Sequence, residues 1–140
     1  MIRIVYYTRE GMFETISLLD FFDKEIKLHR TDGPAYIEYD SNNTIWKEEW
    51  HIDGQRHRLD GPAGIIRSLS KNTLCNYWFN KGIIHRIDGP AFCQFDANGK
   101  LLIEHWYVNQ IYISKEWLTE NNIDPYNISK EDQFLISMRF

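Results

Sequence analysis

The residues His-Arg-Thr-Asp-Gly-Pro-Ala at positions 29–35 decide the fold, because the same motif returns at 57–63 and 85–91 with only its third residue changed. The three copies are 28 residues apart. A tryptophan follows each copy at the same spacing: Trp50, Trp78 and Trp106. A fixed period of about 20–50 residues is the signature of a repeat architecture, so we predict three 28-residue units over residues 28–111.

Each unit is predicted to form a β-hairpin. After Pro-Ala comes a short apolar run, then a polar turn, then a second run rich in aromatic and β-branched residues. Asn, Asp and Gly tolerate positive φ in turns, and aromatic and β-branched residues favour strands. Proline lacks an amide donor and fits at a strand start. The predicted first strands are 36–39, 64–67 and 92–95, and the second strands are 44–52, 73–79 and 100–108.

The hairpins are expected to stack. A lone hairpin is marginal in water, whereas stacked hairpins bury one another's faces. We therefore predict a mainly β chain, built as an elongated array of stacked antiparallel β-hairpins with short C-terminal helices as a cap. With strands about 4.8 Å apart, three units and their ends make a rod on the order of 40 Å long. The sequence leaves open whether the sheet is a flat rod or a closed roll.

The chain is predicted to form one domain, residues 1–140, whose ends depart from the repeat as capping segments do. Its parts are an N-terminal cap or half-repeat at 1–27, three hairpin units at 28–111, and a helical C-terminal cap at 112–140. Within the N-terminal cap, residues 2–8 are predicted to form a strand. Residues 13–27 are interpreted as a degenerate half-unit, because Phe22 stands where a preceding tryptophan would fall.

Two serines mark predicted helix starts in the C-terminal cap. Ser114 can cap a helix over residues 115–121, and Ser129 can cap one over 130–138. We expect the apolar stripe of the second helix to be Phe134, Leu135 and Met138. The helices are expected to cover the last strand edge, which would otherwise favour aggregation.

Composition and charge exclude several classes of protein. The 140 residues carry 16 Lys and Arg against 20 Asp and Glu, a formal net charge of −4, which disfavours electrostatic binding to duplex nucleic acid. No apolar run reaches the roughly 18–20 residues that span a bilayer, and the first residues lack the features of a signal peptide. We therefore expect a cytoplasmic protein without membrane association.

The two cysteines, Cys75 and Cys93, indicate a reducing compartment rather than a disulfide scaffold. With a hairpin turn placed near residues 80–83, they do not lie opposite each other, so we expect no disulfide. His105 is a candidate base for a cysteine nucleophile, but no orienting acid accompanies it. The chain also lacks a phosphate loop, a nucleophile elbow and paired carboxylates. We predict that it is not an enzyme and needs no cofactor.

The repeat unit carries a resemblance to a known group of proteins. His-Arg-x-Asp-Gly-Pro-Ala followed by Trp-x-x-(Asn/Asp)-Gly resembles repeat proteins of large tailed phages and giant viruses, which are similar in turn to MORN-type β-hairpin repeats. The resemblance covers about 60% of the chain. It implies a non-enzymatic, intracellular viral protein whose repeats act as a scaffold. Asn109-Gln110 departs from the expected Asn-Gly or Asp-Gly, and a fourth His-Arg is absent, which marks the end of the array.

The motif supplies one candidate site for an anion. Arg30, Arg58 and Arg86 recur about 10 Å apart and suit the phosphates of a small nucleotide ligand, and Arg56 with His57 makes the most basic spot. The favoured alternative is that each arginine pairs with an aspartate, because acid and base recur together in every unit. The motif histidines are too far apart to share a metal ion, so we predict no metal site. We expect each to donate to a backbone carbonyl.

The second strands supply a candidate partner surface. The repeat tryptophans are expected to fill the core, with a stacking platform for bases as the alternative. The opposite face varies along the array, and binding positions need not repeat. The predicted partner-binding residues are Tyr77, Phe79 and Tyr107, with a rim of His105, Arg67 and Lys71. An exposed aromatic patch marks a protein interface, unless a cap or the terminal helices cover it.

Three classes of function remain open from the sequence. The favoured one is a non-enzymatic module that binds and inhibits a host protein, such as a defence factor, in the host cytoplasm. The second is a protein that sequesters a small anionic or nucleotide signal at the His-Arg turns. The third is a structural or assembly protein. The chain is a monomer or a homo-oligomer, and the sequence does not decide which.

Overall fold

A computed structural model describes residues 2–68 and 70–140. In chain order the strands are β1 (Arg3–Thr8), β2 (Gly11–Thr15), β3 (Tyr36–Tyr39), β4 (Ile45–Glu49), β5 (His51–Ile52), β6 (Gln55–Arg56), β7 (Gly64–Ser68), β8 (Thr73–Tyr77), β9 (Phe79–Asn80), β10 (Ile83–Ile84), β11 (Phe92–Phe95), β12 (Leu101–Val108) and β13 (Ile111–Ile113). The helices are α1 (Leu18–Phe22), α2 (Lys115–Glu120) and α3 (Lys130–Arg139).

The dominant element is an antiparallel sheet of nine strands. Its order is β13-β12-β11-β8-β7-β4-β3-β1-β2, and two small hairpins, β5–β6 and β9–β10, lie outside it. The prediction of a mainly β chain with short helices is confirmed. None of the helices in the described residues has the length and apolarity needed to cross a membrane.

The predicted second strands are interrupted at the tryptophans of the first two units. Trp50 N–H donates to the Ala63 carbonyl at 2.7 Å, and Trp78 N–H donates to the Ala91 carbonyl at 2.8 Å. After each of these tryptophans the chain enters a small hairpin, β5–β6 or β9–β10, that lies outside the nine-stranded sheet. In the third unit β12 runs without a break through Trp106.

The ladder between β8 and β11 has a different register from the predicted one. Cys93 lies opposite Asn76, and Gln94 lies opposite Cys75. Side chains alternate between faces along a strand, so the two cysteines point to opposite faces of the sheet. The turn near residues 80–83 belongs to the β9–β10 hairpin instead.

The N-terminal segment forms a hairpin that the sequence did not predict. The strand expected over residues 2–8 is β1, and β2 pairs with it to form one edge of the sheet. Helix α1 then returns over the sheet, where Phe21 packs edge-on against Tyr6 and Tyr36, with ring centroids 5.2 Å apart in both pairs. Ile4, Leu28 and Ala35 are buried in the same core.

The C-terminal helices begin where predicted. Ser114 Oγ accepts the Trp117 N–H at the start of α2, and Ser129 Oγ accepts the Asp132 N–H at the start of α3. Their core contains Trp106, Val108, Ile113, Leu118, Ile123, Ile128 and Ile136.

The predicted apolar stripe of α3 is wrong. Phe134, Leu135 and Met138 are 67%, 40% and 72% exposed, whereas Ile136 is completely buried. The helix packs through Ile136 because that side chain meets Leu118 and Ile128 in the C-terminal core.

Candidate functional site

The three histidines of the motif hold turns by accepting hydrogen bonds. Nδ1 of each accepts the backbone N–H of a residue 24 positions further on. The pairs are His29 with Asp53 at 3.0 Å, His57 with Lys81 at 3.0 Å, and His85 with Asn109 at 2.8 Å. The three turn residues have φ values of 47° to 49°. The prediction that these histidines hold the turn by donating to a carbonyl is wrong, because Nδ1 accepts a backbone N–H in each of the three bonds.

The three arginines of the motif are each held on three sides. The Nε of Arg30, Arg58 and Arg86 donates to the aspartate two residues on, at 2.7–3.0 Å, so the predicted pairing with aspartate is confirmed. Nη1 donates to the proline carbonyl four residues on, at 3.0–3.1 Å. Each guanidinium also lies 3.9–4.0 Å from the centroid of a ring; in chain order these rings are Tyr7, Trp50 and Trp78.

The glycine and alanine of the motif fit closely around these arginines. A Cβ on Gly33, Gly61 or Gly89 would come within 2.8–2.9 Å of the guanidinium carbon of the same unit, so only glycine allows this approach. The alanines at 35, 63 and 91 are completely buried. The spacing that repeats within each motif therefore serves contacts inside the protein.

Two clefts separate successive motifs, with volumes of about 670 and 710 Å³, and Arg58 lines both. Volumes of this size suit a small ligand. His57 and the motif arginines already have protein partners, which an anion would have to displace. Anion binding there stays a prediction.

Substituting Arg58 tests how much the motif contributes to stability. Arg58→Ala removes the bond to the Pro62 carbonyl, the pair with Asp60 and the stacking on Trp50. We expect the free energy of unfolding in urea to fall by about 2 kcal/mol. Asp60→Ala is the matched control and should cost under about 1 kcal/mol, because the Asp60 side chain is 88% exposed. Equal losses would contradict this account, since they would place the stabilising effect in the ion pair alone.

The repeat tryptophans differ in burial. Trp106 is 1% exposed and its Nε1 donates to the Pro125 carbonyl at 2.8 Å, as expected of a core residue. Trp50 and Trp78 are only half-buried, because a motif arginine rather than a second apolar layer covers one face of each ring.

One face of the sheet carries a continuous series of aromatic rings. Neighbouring rings lie 4.8 Å apart for Tyr77 and Phe92, 5.6 Å for Phe92 and His105, 5.5 Å for His105 and Tyr112, and 5.6 Å for Tyr107 and Tyr112. We call these five residues the aromatic row. Four are half-buried, and Tyr112 is 52% exposed.

The C-terminal helices pack on the other face of the sheet. They contact Trp106 and Val108, which alternate along β12 with His105 and Tyr107. Adjacent residues of a strand point to opposite faces, so the helices leave the aromatic row accessible.

The structure brings some of the predicted partner-binding residues together and separates others. Tyr77, Tyr107 and His105 belong to the aromatic row, and Phe79 lies beside it. Arg67 is on the opposite face, where its Nη1 donates to Glu48 Oε2 at 2.9 Å, and Lys71 lies in an exposed turn. The predicted rim is therefore incomplete. Sequence reasoning from the second strands alone missed two members, Phe92 and Tyr112.

A small cavity opens beside the aromatic row, above Gly64. Its volume is about 150 Å³, and its lining residues are Lys47, Glu49, Arg56, Gly64, Ile66, Tyr77 and Phe79. We call it the Gly64 cavity. Its lining includes one predicted anion-binding residue, Arg56, and two predicted partner-binding residues, Tyr77 and Phe79. The guanidinium carbon of Arg56 lies 5.4 Å from the Phe79 ring centroid.

Glu49 supplies a negative charge in the wall of this cavity. Burial by itself raises the pKa of this carboxyl, but the nearby His51 imidazole, 3.6 Å from Oε1, and the charges of Arg56 and Lys47 outweigh it and lower the pKa from 4.5 to about 2. Arg56 Nη2 lies 2.9 Å from Glu49 Oε2. Glu49 is therefore ionised at neutral pH although only 8% of it is exposed.

The chain matches no protein-family model, no curated protein and no solved structure. Within residues 2–68 and 70–140, no group of three or more His, Cys, Asp and Glu side chains is placed to hold a metal ion. Burial raises the pKa of the thiols of Cys75 and Cys93, which favours the protonated form.

Proposed function

We propose that this chain is a non-enzymatic binding module that engages a partner protein through its aromatic row. The observation that carries the proposal is a row of five aromatic rings on a sheet face that the C-terminal helices leave accessible. Aromatic residues are enriched in protein interfaces because they bury a large area at low cost in conformational entropy. The motif residues, by contrast, are engaged in internal contacts.

We also infer that the sheet is an array of three 28-residue hairpin units. Two sets of contacts support this inference, the histidine–turn bonds and the arginine contacts, because each recurs three times at the same spacing. Such an array presents a rigid surface, so little conformational entropy is lost when a partner binds.

The resemblance of the motif to phage and giant-virus repeats bears on the partner. It favours a host protein, and we propose a defence factor whose active surface the module covers. Inhibition of this kind needs a stable fold and a complementary surface, and it needs no catalytic group on the module.

The double variant Tyr77→Ala/Tyr107→Ala tests the proposed surface. Central aromatic residues of an interface commonly contribute about 2 kcal/mol each, so the loss of both should weaken partner binding by about 4 kcal/mol, or roughly 1,000-fold. Native mass spectrometry of tagged protein from host cells identifies the partner, and titration with that purified partner gives the affinity. Tyr39→Ala, on the opposite face of the sheet, is the matched control. Unchanged affinity in a folded double variant would exclude the aromatic row as the interface.

A further inference from the structure

We propose that the Gly64 cavity receives a tyrosine side chain of the partner protein, an inference that rests on the proposed function and specifies its central contact. The position recurs in the other two units as Tyr36 and Phe92. Along the sheet, Gly64 lies between Glu49 and Tyr77 in the same cross-strand series that contains both aromatic residues. The middle unit therefore lacks a ring where its neighbours have one.

Neither backbone conformation nor a steric clash requires glycine at position 64. Gly64 lies in β7 without a positive φ, and a Cβ built there would lie 3.5 Å from the Tyr77 Cβ, an ordinary van der Waals distance. The motif glycine Gly61 is different, because a Cβ there would come within 2.9 Å of Arg58. Glycine inside a strand weakens it and often marks close approach by another molecule.

The size and walls of the cavity suit one aromatic ring. A cavity of about 150 Å³ is large enough for benzene. Tyr77, Phe79 and Ile66 give it apolar walls, and the missing side chain of Gly64 gives it depth. Two rings near the opening allow edge-to-face or offset stacking with an incoming ring.

The polar wall favours tyrosine over phenylalanine. Glu49 Oε2 accepts from Arg56 Nε at 3.1 Å, whereas Oε1 is 3.6 Å from His51 Nε2. Both ring nitrogens of His51 lack a hydrogen-bond partner in the described part of the chain. Oε1 therefore keeps the capacity to accept a hydroxyl proton, and the neighbouring cation of Lys47 complements the phenol oxygen.

The same sheet face already holds a tyrosine in this manner. The Tyr36 hydroxyl donates to Glu38 Oε2 at 2.7 Å, and that carboxylate is 3% exposed. A phenol paired with a buried glutamate is thus compatible with this face. Phenylalanine forms no such bond, and a hydrogen bond to a charged group discriminates strongly between two similar ligands.

The test is an NMR titration of the full chain with N-acetyl-tyrosinamide and, in parallel, N-acetyl-phenylalaninamide. We expect saturable shifts of the Gly64 and Tyr77 amides, with roughly 10- to 100-fold tighter binding of the tyrosine compound. Gly64→Phe should abolish these shifts, because its own ring fills the cavity, and should raise the melting temperature. Gln94→Phe places a ring on the same face outside the cavity and should leave the titration unchanged.

The outcomes of this titration test the cavity inference separately from the proposed interface. Absence of saturable shifts at Gly64 overturns the cavity inference while leaving the aromatic row to be judged by the Tyr77→Ala/Tyr107→Ala variant. Equal binding of the two compounds overturns the assignment to tyrosine and the role of Glu49. Binding that survives Gly64→Phe in a folded protein also overturns the inference, because the ring would then be bound elsewhere.

Discussion

Replacing Trp106 with alanine should lower the free energy of unfolding by about 3–5 kcal/mol. The side chain is 1% exposed and joins the last strands to the C-terminal helices through a core that includes Ile113 and Leu118. Its removal leaves a cavity and takes away the donor to the Pro125 carbonyl. Domains are commonly stable by only about 5–15 kcal/mol, so urea denaturation at 25 °C should show a large shift of the midpoint.

Trp78→Ala is the matched control for this substitution. The Trp78 ring is half-buried and one face is covered by the Arg86 guanidinium, so its loss leaves no closed cavity. We expect a cost of about 1–2 kcal/mol. Equal costs at the two positions would show that the C-terminal core does not depend on Trp106 in the way its burial indicates.

Acid should remove a contribution to stability of up to about 3 kcal/mol that Glu49 makes at neutral pH. The pKa of this carboxyl is lowered from 4.5 to about 2 in the folded protein, because His51, Arg56 and Lys47 together outweigh the opposing effect of burial. A folded-state pKa below the unfolded value stabilises the fold above the unfolded pKa. The contribution is therefore complete above about pH 4.5 and is lost as the pH falls towards about 2.

The measurement compares wild type with Glu49→Gln in urea at several pH values between 7 and 2. The wild type should be the more stable protein at neutral pH, and the difference should shrink as the pH falls below about 4.5. The side-chain hydrogen bonds from Arg30 and Arg9 also lower the pKa of Asp32 and Asp53, but both proteins share these groups. If the difference in free energy of unfolding between wild type and Glu49→Gln stayed constant with pH, the assignment of this contribution to Glu49 would be contradicted.

The parts of the fold that depend on local chemistry were predictable from the sequence. Turn residues placed the hairpins, and the hydroxyls of Ser114 and Ser129 placed the helix starts, because caps act within one turn. The interruptions at Trp50 and Trp78 were not predictable, since the N–H groups of these tryptophans donate to Ala63 and Ala91, which directly precede the distant strands β7 and β11. The buried side of α3 was missed because tertiary packing selected Ile136.

The candidate site was predictable only in part, for a related reason. Tyr77, Phe79 and Tyr107 could be found because side chains alternate along a strand. The Gly64 cavity depends on a side chain that is missing, and an absent group leaves no periodic signal. Superposing the three units would have revealed it, because glycine then stands beside Tyr36 and Phe92.

The order of strands in the sheet has a consequence for how the chain folds during synthesis. Except for the exchange of β1 and β2 at one edge, spatial order follows chain order, so every ladder except that between β1 and β3 joins segments that are close in sequence. Closing short loops costs little entropy, and such topologies fold fast. A nascent chain can therefore pair each strand soon after it leaves the ribosome, adding to a growing edge while the C-terminal helices are still being made.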